Sequence, residues 1–256
     1  MRSTAPFFFR RLVSLAALLV LTTCFECAAQ EQSSALQVSD LIAAGQQNNF
    51  KKEFDKAIEN FSRAASLDPS NSFAYLGRGI AYAELRRLDD AISDLDRSIK
   101  INGRNPNAYV ARSYVRSESG DQKGALADLN RSISLFPANL SAYDDRAFVK
   151  IQLADYSGAI QDCDLVIDSG SKTRSAYIYR AFSYEKLGRE ATALEDYTRA
   201  IELDQSDSLP FKNRGNMLER LGDVKGALSD YLNALRLEPD NAPLMAAVAR
   251  VKSKVN

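Results

Sequence analysis

The chain has 256 residues, 45% of them apolar, and its 33 basic residues balance 33 acidic ones. That balance gives no electrostatic footprint for nucleic acid or for an anionic membrane surface. Histidine is absent, which removes Ser-His-Asp and Cys-His nucleophile pairs and the commonest transition-metal ligand, so an enzyme is not expected.

The first thirty residues differ from the rest. Arg2, Arg10 and Arg11 precede an uncharged run, LVSLAALLVLTTCF, from Leu12 to Phe25. Fourteen residues fall short of the ~20 that span a bilayer but suit the apolar core of an export signal. Cys27, Ala28 and Ala29 offer small residues before a cut at Gln30, so residues 1–29 read as a signal peptide and 30–37 as a short linker. The alternative is a lipoprotein signal with Cys24 acylated. The expected location is periplasmic or secreted, with no stable membrane span after cleavage. Removing the leader would take away Cys24 and Cys27, leaving Cys163 as one thiol that cannot form an internal disulfide.

From Val38 the chain falls into six blocks of 34 residues without insertion or deletion, at 38–71, 72–105, 106–139, 140–173, 174–207 and 208–241. The fourth position holds Leu41, Tyr75, Tyr109, Tyr143, Tyr177 and Phe211. The eighth is small in every copy: Gly45, Gly79, Ser113, Ala147, Ala181 and Gly215. The twentieth is alanine throughout, and four residues later come Phe61, Leu95, Leu129, Cys163, Tyr197 and Tyr231. Within each block apolar residues recur every three or four positions, twice, around a break marked by Gly120, Gly188 and Gly222 in three copies. That is the pattern of two helices joined by a turn. Pro69, Pro137 and Pro239 follow second helices, and Pro106, Pro210 and Pro243 fall in first turns, so none interrupts a helix interior. Residues 242–256 begin as a seventh first helix and end in lysines, as a solvated cap would.

This pattern resembles the tetratricopeptide repeat family, from Val38 to Asn241. The resemblance implies an all-α fold, a right-handed α-solenoid of six helix-turn-helix hairpins plus a C-terminal capping helix. Tyrosine or phenylalanine replaces the family's tryptophan, and Gly103, Ser171 and Gln205 replace its closing proline.

The seventh position is unusual, because five copies carry arginine: Arg78, Arg112, Arg146, Arg180 and Arg214. The same five carry aspartate at the twenty-third: Asp94, Asp128, Asp162, Asp196 and Asp230, whereas the first copy has Ala44 and Asn60. Co-occurrence within one chain points to contact, and a guanidinium fork can hold a carboxylate with two bonds. Pairing within a hairpin matches five arginines to five aspartates. Pairing between successive hairpins would set Arg78 against Asn60 and Asp230 against Val248. Intra-hairpin pairing is therefore expected, rather than a ladder that grips anions.

The resemblance also implies that the concave side, lined by first helices, binds a peptide or helix of another protein. Its fifth and ninth positions give Leu76 and Ile80, Val110 and Tyr114, Asp144 and Phe148, Ile178 and Phe182, and Lys212 and Asn216. The middle of this wall is apolar and aromatic, with Asp144 and Asp145 as an acidic spot, and it turns polar toward the C-terminus. Lys212 and Asn216 match the opening pair of the family's carboxylate clamp, but Ala247 stands where the next helix would complete it. No glycine-rich phosphate loop or metal-ligand spacing is present, and no cofactor is expected. The expected function is a protein-interaction scaffold in an envelope or secretion assembly, with a self-associating solenoid as the alternative and an enzyme as a remote one.

Overall fold

The computed structural model describes residues 32–255. The leader expected at 1–29, with Cys24 and Cys27, lies outside the described residues. Those residues contain helices and turns and no strand. The helices are α1 (32–50), α2 (Phe54–Leu67), α3 (Ser72–Glu84), α4 (Leu88–Ile101), α5 (Pro106–Glu118), α6 (Gln122–Leu135), α7 (Leu140–Gln152), α8 (Tyr156–Asp168), α9 (Arg174–Lys186), α10 (Glu190–Leu203), α11 (Ser208–Arg220), α12 (Val224–Leu237) and α13 (Ala242–Val255). Odd-numbered helices are the first helices of the 34-residue blocks and even-numbered ones the second. The segment expected to be a linker is helical from residue 32. Its side chains are solvent-exposed until Val38, where packing begins, so these first turns extend a helix anchored further on.

The chain divides into two compact units, Met1–Arg104 and Asn105–Asn256. The described part of the first holds two hairpins, α1–α2 and α3–α4. The second holds four hairpins, α5 to α12, and ends in α13.

One backbone device closes every hairpin. Lys52, Arg86, Gly120, Ala154, Gly188 and Gly222, spaced one block apart, all have positive φ, between 59° and 88°. The next residue's amide then returns to a carbonyl five positions back, as from Glu53 to Asn48 at 2.8 Å and from Asp223 to Leu218 at 2.9 Å. This left-handed closure caps orphan carbonyls of the first helix. Only three copies use glycine, so sequence marks the turn in half of them. A Cβ at Gly120, Gly188 or Gly222 would meet nothing within 4 Å, so the cost of a side chain there is conformational. Ala154 is exposed, and Ala154→Gly is expected to raise stability by about 1 kcal/mol, read as a higher urea midpoint; an unchanged or lower midpoint would count against this account of the turn.

Packing follows the small positions. The six alanines at the twentieth position, from Ala57 to Ala227, are 0% exposed. Each lets a second helix approach its partner. The residue four places later then fills the space left by the small eighth position. Leu95 packs over Gly79, and Tyr231 over Gly215. Phe61 goes further: its ring lies against Gly45 of its own hairpin and against Gly77 of the next, locking the two together. In the second unit, α13 covers the last hairpin with Leu244, Ala247, Val248 and Val251, packed around Phe211, Tyr231 and Ala234. Arg250 and Lys254 of α13 both reach Glu219 on α11, at 2.8 and 2.9 Å. Those two bonds, Arg250 first, hold the Glu219 carboxyl down at about 2. The cap is thus fastened by apolar contact on one side and charge on the other.

Candidate functional site

Five arginines repeat at the seventh position of the blocks. Each of the five donates from Nε and Nη2 to both carboxylate oxygens of the aspartate sixteen residues later, at 2.6 to 2.9 Å. The aspartates are 1 to 7% exposed. The fork is therefore occupied within its own hairpin and offers no open face to an anion. The tyrosine one turn earlier carries the guanidinium over its ring in four copies, with Arg146 5.2 Å from the centroid of Tyr143.

The third nitrogen has a separate task. Nη1 of Arg78 donates to Ser62 Oγ at 3.0 Å, and that of Arg146 to Asn130 Oδ1 at 2.8 Å. Arg180 reaches Asp164 Oδ1 at 2.7 Å and Arg214 reaches Thr198 Oγ1 at 2.8 Å. These acceptors belong to the second helix of the preceding hairpin. Each such arginine therefore stitches its own hairpin and also staples it to the one before. The sequence carried a signal for this at the twenty-fifth position: Ser62, Asp96, Asn130, Asp164 and Thr198 are polar, and each precedes a block with arginine. Leu232 breaks the run where the next block has Val248 instead.

Two aspartates take an additional cation. Arg116 reaches Asp128 at 2.9 Å and Lys150 reaches Asp162 at 2.7 Å. Both cations stand at the eleventh position, where Tyr82 and Tyr184 of other copies instead lie under Arg87 and Arg189, each 4.4 Å from the ring centroid.

The expected groove residues separate into surface and core. In the first unit, Leu76 is buried at 8% and Ile80 is exposed at 38%. An open depression of about 560 Å³ in the same unit is lined by Val38, Ser39, Ile42 and Gln46 of α1 together with Phe73 of α3, and by none of the expected groove residues. In the second unit, Ile178 is buried at 5%, so it and Leu76 pack in the core. Their fifth-position side chains are covered by packing of neighbouring helices, which spacing alone cannot distinguish from exposure. Tyr114 and Phe148 are exposed, Val110, Asp144, Phe182 and Lys212 are half-buried, and Asn216 is exposed.

The structure draws these residues together most closely across α7 and α9, which pack directly on each other. Phe148 meets Tyr179 with ring centroids 5.8 Å apart. Phe182 takes Tyr156 edge-on at 6.4 Å and Lys186 Nζ at 4.9 Å from its ring centroid. Asp144 accepts a hydrogen bond from Ser175 Oγ. Burial raises the Asp144 carboxyl above its usual range against that bond. Asp145 is open to solvent but has protein on several sides, and this partial loss of water, with the Asp144 charge, pushes it up to about 6. Burial, then the same two charges, push the Tyr179 phenol up to about 12. Tyr179, Ser175 and Lys186 were not among the residues the sequence singled out. They stand at the sixth, second and thirteenth positions; serine recurs at the second in three copies, Ser39, Ser141 and Ser175, while no residue type holds through the copies at the other two.

The polar end of the wall is engaged internally. Asn216 accepts from the Tyr231 hydroxyl at 2.8 Å, and Glu219 is held by α13. Cys163 is buried, and burial pushes its thiol far above the ordinary value, as suits an inert core group. No group of three or more metal-ligating side chains occurs among the described residues, and no described helix is long and apolar enough to cross a membrane.

Two tetratricopeptide repeat models match the chain, at residues 51–109 and 175–207. No curated protein matches it in sequence. Among solved structures, it is similar to the Cut9–Hcn1 hetero-tetramer of the APC/C at 16% identity and a TM-score of 0.72, over 84% of this chain and 42% of that one. The chain thus spans 42% of that relative's length. It is also similar to pilF of Pseudomonas aeruginosa, at 14% identity and a TM-score of 0.74, over 87% of this chain and 99% of that one. YrrB, described as a tetratricopeptide protein with an unusual peptide-binding site, aligns at 16% identity and a TM-score of 0.59, over 73% of this chain and 96% of that one. At these identities the likeness establishes architecture. The fold is accordingly all-α, an array of tetratricopeptide hairpins with a further helix, α13, packed on the last of them.

Proposed function

We propose that the chain is a non-enzymatic interaction scaffold whose first-helix wall takes a peptide or helix of a partner protein. The observation that carries this is the ninth position of the second unit. Tyr114, Phe148 and Phe182 recur there one block apart on α5, α7 and α9, and none of the three is buried. An aromatic row left accessible along successive first helices suits an apolar segment laid across them. The peptide-binding site ascribed to YrrB supports this reading by analogy of fold. The leader read at 1–29 supports export, with anchoring through Cys24 as the lipoprotein variant, and hence a partner in an envelope or secretion assembly.

Affinity capture from envelope extract tests the reading. Wild type and a Phe148→Glu, Phe182→Glu variant of equal helicity should retain different sets of proteins; identical sets would remove this wall as the recognition surface. A second reading, self-association, is favoured by Phe50 and Leu36 on α1, 89% and 62% exposed. Light scattering separates the two, since a monomer over the micromolar range leaves the first.

A further inference from the structure

Resting on the groove reading above, we infer that the stretch of wall between α7 and α9 receives a cationic side chain of the bound peptide, arginine above all, with an adjoining apolar residue against Phe148 and Tyr179.

Charge complementarity carries the argument. Acidic side chains buried elsewhere in the second unit have a cation. Asp128 and Asp162 hold two each, and Asp196 and Asp230 hold one. Even the more exposed Asp164, Asp204 and Glu185 have arginine partners. Asp144 and Asp145, consecutive on α7, make no ion pair among the described residues. Only one oxygen of Asp144 is satisfied, by Ser175. The other, Oδ1, is closed to solvent and has no hydrogen-bond partner. Two adjacent negative charges with an unmet acceptor, partly withdrawn from water, are unfavourable in the empty protein. A cation brought to the solvent-exposed Asp145 carboxylate would offset the two neighbouring charges together.

The surroundings select among donors. The Phe148–Tyr179 pair lies on the same two helices, and aromatic faces attract a cation that has shed part of its water. A guanidinium can stack on such a ring while its fork meets a carboxylate, and an ammonium can do only the second as a point charge. An anionic peptide would meet two carboxylates, neither of which has an ion-pair partner among the described residues. A wholly apolar peptide would cover the exposed Asp145 carboxylate and leave it unpaired. Both are disfavoured by the groups that line the site.

A displayed library of random dodecapeptides, panned on the full-length chain, reads this directly. Wild type is expected to enrich sequences with arginine or lysine beside an apolar residue. A synthetic peptide of that consensus should lose at least about tenfold in affinity when its cationic residue becomes glutamine. On an Asp144→Asn, Asp145→Asn variant the two peptides should bind alike. An apolar consensus without a cation, or the same arginine-to-glutamine loss on wild type and on the asparagine variant, would overturn the inference while leaving the groove in place. Unchanged binding to Phe148→Glu, Phe182→Glu would instead overturn the groove reading, as would a library that yields nothing above the bare support. Far-ultraviolet circular dichroism of each variant establishes that the hairpins remain folded.

Discussion

Arg214→Met is expected to destabilise the second unit by about 3 kcal/mol, because it strands a carboxylate that the fold has taken out of water. Asp230 is 2% exposed and receives two bonds of 2.8 Å from this arginine. It has no second cation among the ion pairs, in contrast to Asp162, which would keep Lys150 if Arg146 were removed. That difference makes Arg214 a cleaner test than Arg146. The double change Arg214→Met, Asp230→Leu removes both charges and should recover most of the loss, leaving a deficit of about 1 kcal/mol. Part of that residue reflects the lost staple to Thr198. Urea unfolding supplies the comparison, with amide exchange in α11 and α12 to localise it, since repeat arrays open locally as well as globally. Equal losses from single and double changes would mean that the pair is not coupled.

Gly77→Ala carries the second large effect, of about 2 kcal/mol destabilising. In an exposed helix this change would stabilise by up to about 1 kcal/mol. Here the new Cβ would fall on the ring of Phe61, well inside van der Waals contact. Phe61 is 0% exposed, and on its other side a Cβ built at Gly45 would lie 2.8 to 2.9 Å from the same ring. The ring cannot retreat into solvent or into a neighbouring void, so α3 must move off α2. Phe61→Leu removes the collision at the expense of buried area, and Gly77→Ala should cost less in that background than in wild type. The opposite order, a greater cost beside leucine, would show that the glycine is not there to admit the ring.

These two cases also show how far the sequence can be read. The period of 34 placed each first and second helix, because small eighth and twentieth positions and a large twenty-fourth are demanded by the closeness of two helices. The Arg–Asp matching was legible for the same reason: five copies in one chain act as their own comparison, and the first copy, with Ala44 and Asn60, lacks both partners. The third arginine nitrogen was harder to see, since Ser62, Asn130, Asp164 and Thr198 share polarity and not identity. Left-handed turns at Lys52, Arg86 and Ala154 left no residue signal, because hairpin closure imposes the conformation and the side chains tolerate it. The groove was the least legible part. Leu76 and Ile178 were placed at fifth positions with Asp144, yet they are core while Asp144 is half-buried, and Tyr179 and Ser175 enter through the direct packing of α7 on α9. Which face of a first helix stays open depends on how one hairpin leans on the next, and that is set by side-chain volumes from several blocks together.

Site-specific photocrosslinking tests the central claim most directly. A benzophenone side chain replacing Phe148 or Phe182, on first helices, should join the chain to its bound partner. The same group replacing Leu165, exposed on the second helix α8, should not. Adducts formed from Leu165 alone would place recognition on the second helices and contradict the account.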